Sequence, residues 1–84
     1  MELVQYINSL DASERESFER AVSTSIGYLR KAVSTGQRIN PLTCSLIESA
    51  TNNSVMRWDL RPTDWARIWP ELTEHPNAPS EVPA

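Results

Sequence analysis

With 84 residues, 39% of them hydrophobic, the chain lies near the lower size at which one apolar core holds a fold unaided, so it is read as one small domain for which assembly into oligomers is expected. Its single cysteine excludes an internal disulfide, and one cysteine with one histidine excludes a zinc site of the usual four-ligand kind. The net charge of −3 argues against nucleic acid as a sum but not as a distribution: residues 25 to 62 carry Arg30, Lys31, Arg38, Arg57 and Arg61 against only Glu48 and Asp59, leaving a basic middle between acidic ends.

Residues 2 to 10 place Leu3, Ile7 and Leu10 on one helical face, with Val4 beside them, and predict a first helix. Ser13 with Glu16 three residues on matches a capping box and opens a second, whose apolar edge is Phe18 and Val22. Ser23, Thr24 and Ser25 are poor helix formers, and Ser25 is suited to cap a third helix over 26–35. Leu29, Ala32 and Val33 form its expected inward side, and Gly36 ends it by taking a left-handed conformation at little cost. The outward side is left with Gly27, Arg30, Lys31 and Ser34.

Asn40 before Pro41 starts a fourth helix, because proline's missing N–H costs nothing in a first turn. Cys44, Ile47 and Ala50 are its expected buried stripe, flanked by Leu46, and "TNNS" stops it. The following "VMRWDLRP" alternates with period two and predicts an extended segment against the body. Thr63 then caps a short helix bearing Trp65, Ile68 and Trp69 that ends near Pro70. Residues 73–84 hold three prolines and little to bury, and are expected to be disordered beyond a folded region of residues 1–72.

The expected fold is therefore all-α: a small bundle of four to five short helices with an extended C-terminal segment. Helices two and three are joined by about three small residues, a spacing suited to the sharp crossing of a helix-turn-helix. That crossing turns helix 26–35 outward, where its N-terminal end can enter a major groove. Ile26, Gly27, Tyr28, Arg30 and Lys31 are then the candidates for base contact. Arg30 leads them, because a guanidinium matches guanine O6 and N7 bidentately. Thr24, Ser25, Ser34, Gln37 and Arg38 are the candidates for phosphate, the first two through the free N–H groups of the helix start.

Taken together, "TSIGYLRKAVSTGQR", "CSLIESAT" and "VMRWDLRPTDWARIWPEL" resemble the YdaS-like, Cro-type transcriptional regulators of prophages and plasmids, over about residues 15 to 72. The resemblance implies a lambda-repressor-like fold and a small repressor of a prophage or toxin-antitoxin-like operon. It also implies binding to double-stranded operator DNA as a dimer or higher oligomer, with a toxin or a second repressor as a further protein partner. The chain departs from the family at Glu19, where a small residue is usual, at Ser23, where glycine is usual, and in "TNN" where the family has "TGG".

Arg57 and Arg61 are candidates either for tracking phosphate or for pairing with Asp59 or Asp64. Trp58, Leu60, Trp65, Ile68 and Trp69 are candidates for a contact between subunits, since three tryptophans within twelve residues are much for a tiny core and tryptophan is enriched at interface hot spots. Cys44 reads as an ordinary buried residue. No nucleophile, base and orienting acid are assembled by any motif, so neither catalysis nor a cofactor or metal is expected. No apolar run approaches the ~20 residues of a membrane span. With no basic, apolar start of the signal-peptide kind, the expected location is the cytoplasm, on the nucleoid when DNA is bound. The acidic ends and tryptophans leave a second class open, a protein-binding adaptor such as an antitoxin or antirepressor that keeps the same frame with weak or no DNA binding.

Overall fold

Local capping chemistry sets where the three longest helices begin. In the computed structural model, which describes residues 1–81, the helices are α1 (Leu3–Asn8), α2 (Ala12–Val22), α3 (Ile26–Thr35), α4 (Pro41–Ala50), α5 (Arg57–Leu60) and α6 (Trp65–Ile68), followed by a 3-10 helix (Pro70–Glu74). No strand occurs among the described residues.

Three of the expected boundaries are those of the sequence. Ser25 Oγ accepts from the Tyr28 N–H at 3.1 Å, and Asn40 Oδ1 accepts from the Leu42 N–H at 2.8 Å with Pro41 in the first turn. Gly36 sits at φ +71°, letting the Gln37 N–H reach back to the Ala32 carbonyl at 2.9 Å. The capping box of α2 lies two residues earlier than expected. Asp11 and Glu14 cap each other's backbone N–H groups at 2.8 and 2.9 Å, which places Ser13 inside the helix and leaves Glu16 to pair with Arg20 on the surface.

The expected extended segment at 55–62 is instead a single helical turn. Val55 and Met56 are consecutive and both buried, which a strand with one face inward does not allow. The Asp59 carboxylate then accepts from the Met56 N–H at 2.9 Å and closes the turn. Thr63 caps nothing: α6 follows Asp64, whose own carboxylate is engaged elsewhere. The segment expected to be disordered from residue 73 is folded at its start, with Leu72 buried, Thr73 closing the 3-10 turn and the His75 ring 5.3 Å from Trp58. The rest of that expectation, at 82–84, lies outside the described residues.

One cluster forms the core. Leu3 and Ile7 of α1, Phe18 and Val22 of α2, Leu29 and Ala32 of α3, and Cys44 and Ile47 of α4 close on one another, with Ile39 and Val55 from the connections. Ile7, Leu29 and Ile47 are completely buried, each contributing about 1.5–3 kcal/mol. α2 packs on α4 and α1 on α3. Val33, expected inside, is 47% exposed, because it lies one residue off the Leu29–Ala32 stripe and the helix carries it to the flank.

Ser23, where α2 hands over to α3, adopts φ +58°. A left-handed residue other than glycine costs roughly 1–2 kcal/mol, partly offset by the extra chain entropy that glycine loses on folding. Ser23→Gly is expected to raise stability by about 0.5–1 kcal/mol. The check is a shift of the urea midpoint to higher denaturant, and an unchanged or lower midpoint contradicts it.

Candidate nucleic-acid interface

Burial of Leu29 and Ala32 leaves α3 with a solvent-facing side made of Gly27, Tyr28, Arg30, Lys31 and Ser34, all exposed. Of the residues expected to read bases, only Ile26 is withdrawn, half-buried against the core. Ser25, Gln37 and Arg38 are exposed and Thr24 is half-buried. The structure thus places the base candidates along the exposed side of α3, with Thr24 and Ser25 at its start and Gln37 and Arg38 beyond its end.

Their polar groups differ in how far they are committed. Arg30 Nη2 donates to Asn8 Oδ1 at 3.0 Å, a surface bond to α1 that any stronger acceptor can replace. Lys31 makes no side-chain hydrogen bond or ion pair among the described residues. Ser34 Oγ donates to the Lys31 carbonyl at 3.0 Å, and Gln37 Nε2 lies 3.4 Å from the Tyr28 hydroxyl. Arg38, with its side chain 72% exposed, has Asp64 at 3.6 Å.

The start of α3 is partly occupied from within. Glu19 Oε2 accepts from the Ile26 N–H at 2.7 Å, and Ser25 takes the Tyr28 N–H. Among the described residues the Gly27 N–H engages no acceptor and stays open. Gly27 itself is not required by the fold: a Cβ there would meet only Ser25 Oγ, at 4.0 Å, and its φ is not in the left-handed range. Glu19, a departure from the family that the chain resembles, thus acts as a cap. Its capping role joins residues seven apart and has no local signature.

Arg57 and Arg61 are both paired within the molecule. The Arg57 backbone N–H and Nε both donate to Glu48 Oε2 at 3.0 Å, and its guanidinium lies 5.1 Å from the Trp69 ring centre, so its partner is Glu48 rather than Asp59. Arg61 grips both oxygens of Asp64 at 3.0 and 2.6 Å and donates to the Ile39 carbonyl at 2.8 Å. Among the tryptophan-region residues, Trp65 is buried, 1% exposed, with Trp58 edge-on to it at 5.8 Å. Trp58, Leu60, Ile68 and Trp69 remain half-buried.

Burial pushes the Cys44 thiol up to about 11, which leaves it protonated and unreactive at neutral pH. Among the described residues no group of His, Cys, Asp and Glu side chains is placed to hold a metal ion, and no helix is long and apolar enough to cross a membrane. No family model, curated protein or solved structure matches the chain.

The hydrogen bonds from Arg61 hold the Asp64 carboxyl below its ordinary 3.8, with burial opposing them. The folded value lies under the unfolded one, so this contribution to stability is complete above pH 3.8 and disappears as pH falls through the folded value. Asp64→Asn should therefore lower stability at neutral pH and flatten the acid limb below about pH 4. Urea midpoints measured between about pH 6 and pH 2 test this, and parallel curves for the two proteins would contradict it.

Proposed function

We propose that the chain is a sequence-specific DNA-binding transcriptional regulator, a Cro-type repressor of a prophage or toxin-antitoxin-like operon. In this reading α2, the turn 23–25 and α3 form a helix-turn-helix, and α3 lies in the major groove. The observation that carries it is Gly27, an exposed glycine in the first turn of a helix, with an open N–H, that neither packing nor backbone conformation demands. Glycine in a helix costs roughly 0.5–1 kcal/mol against alanine, and a surface that must approach another backbone closely accounts for that cost. Arg30 and Lys31 follow on the same exposed side, so base-reading cations sit one turn beyond the close approach.

The protein then binds as a dimer or higher oligomer to half-sites about one helical turn apart, ~34–36 Å. Gly27→Ala separates function from stability: it should raise the urea midpoint slightly while weakening operator binding. Arg30→Ala should lose discrimination at one base pair, about 1–3 kcal/mol, whereas Arg38→Ala should weaken all sequences and reduce the salt slope by about 0.9. Operator titrations at several salt concentrations read both effects. Parent-like binding by all three variants would refute the assignment of α3.

Glu19 favours a second reading, a protein-binding adaptor, because its carboxylate already holds a place where a phosphate would approach. Glu19→Gln keeps an oxygen for the Ile26 N–H and removes the charge. For a DNA-binding protein it should tighten non-specific binding several-fold at ~50 mM salt, where phosphate contacts are strongest. For an adaptor, neither parent nor variant shifts a promoter fragment under those conditions.

A further inference from the structure

A cleft of about 550 Å³ opens on the flank of the molecule, between the start of α1, the last turn of α3 and the link from α5 to α6. That volume lies within the ~300–1,000 Å³ of small-molecule sites. Its walls are mainly apolar, with Val4, Val33 and Leu60 among them. Val33, the residue that the core failed to take, is 47% exposed and lines this space.

The charges at the rim are unequally committed. Asp59 already accepts from the Met56 N–H at 2.9 Å and lies 3.2 Å from the terminal ammonium of Met1. Asp64 has both oxygens taken by Arg61, at 3.0 and 2.6 Å, so Arg38 at 3.6 Å is a second cation on a carboxylate that is already satisfied. The Arg38 guanidinium is therefore the surplus positive charge at the mouth of an apolar cleft. The one opposing group is Glu2, exposed on the other side, with no side-chain partner among the described residues.

We propose that this cleft binds a small amphipathic monocarboxylate, with its apolar body against Val4, Val33 and Leu60 and its carboxylate on Arg38. A free phosphate or other compact anion gains nothing from such walls, and a neutral apolar molecule leaves Arg38 unused. The consequence for regulation rests on the DNA-binding reading: a ligand that holds Arg38 competes for the side chain assigned to phosphate, so it weakens DNA binding across all sequences.

The binding step is tested without DNA. Octanoate and its neutral counterpart octanamide are titrated into the full chain, and backbone amide and Arg38 Nε–H shifts are followed by NMR. Octanoate should give saturable shifts at Val4, Val33, Gly36 and Arg38 and bind about fivefold tighter than octanamide, the share of one exposed charge pair. Arg38→Ala should abolish that preference, Glu2→Gln should strengthen it, and Val33→Ser should weaken both ligands alike. All three positions are exposed, so the fold is expected to persist, and unchanged amide spectra away from the cleft verify it. Shifts scattered over the surface, or an octanoate preference that survives Arg38→Ala, would overturn the proposal. If octanoate binds as stated but leaves operator affinity unchanged, the site stands and the regulatory link fails.

Discussion

The hydrogen bond from the Ile26 N–H to the Glu19 carboxylate is the constraint on which the presentation of α3 depends. Only three residues join α2 to α3, and one of them is held in a left-handed conformation, so the angle between the helices needs a fixed point. Glu19 supplies it from within α2, using a negative charge at the positive end of α3, an arrangement typically worth 0.3–1 kcal/mol besides the hydrogen bond itself. With that end tied, Leu29 and Ala32 are held in the core, and the opposite side of α3 has nowhere to face but water. The same charge reduces the attraction of the helix start for phosphate, so rigidity of the unit and affinity for an anion oppose each other at a single side chain.

The C-terminal third solves a different problem. Helices of four residues have no stability of their own, since nucleating a turn fixes several dihedrals for one hydrogen bond. Two arginines anchor them instead: Arg57 ties α5 to Glu48 of α4, and Arg61 ties the start of α6 to the Ile39 carbonyl ahead of α4. Both ion pairs are largely shielded, with side-chain exposures of 10–19%. A shielded pair is weak evidence for net stability but costly to break from one side. These anchors also redraw the charge map, because Arg57 and Arg61 are neutralised internally and the outward positive charge of the middle reduces to Arg30, Lys31 and Arg38.

Much of the helical order was legible because it is written in local chemistry. Ser25, Gly36 and the Asn40–Pro41 pair act on neighbours within a few residues, and each does in the structure what its type and position require. The misreadings have physical causes. Asp11-x-x-Glu14 and Ser13-x-x-Glu16 are both valid box signatures, and the earlier one operates because its acid is an equally good cap and the helix can start sooner. At 55–62 a short alternation of apolar and polar residues fits a strand and a one-turn helix equally. Burial of both Val55 and Met56, a tertiary fact, selects the helix. Glu19 and the Arg57–Glu48 pair join residues seven and nine apart through packing, beyond the reach of periodicity. The exposed side of α3 followed from its pattern. Neither Glu19's hold on the Ile26 N–H nor the cleft beside Val33 did.

On the proposed reading, the three outward cations of the middle segment, Arg30, Lys31 and Arg38, limit what one copy does to DNA. Each phosphate neutralised contributes a salt slope of about −0.9, and non-specific affinities of small modules at physiological salt fall around 10⁻⁴–10⁻⁶ M. A regulator working from so few contacts, with Glu19 opposing them, gains useful affinity by doubling them through symmetry. Linking two sites raises avidity by roughly 10²–10⁴ without a new contact, provided that both reach their half-sites together. The half-buried Trp58, Ile68 and Trp69 lie in and beside α5 and α6, outside α3, and offer apolar surface to a second copy. On that reading, weak single-copy binding and an incompletely buried C-terminal third are two consequences of one small size, and association of chains would relieve both.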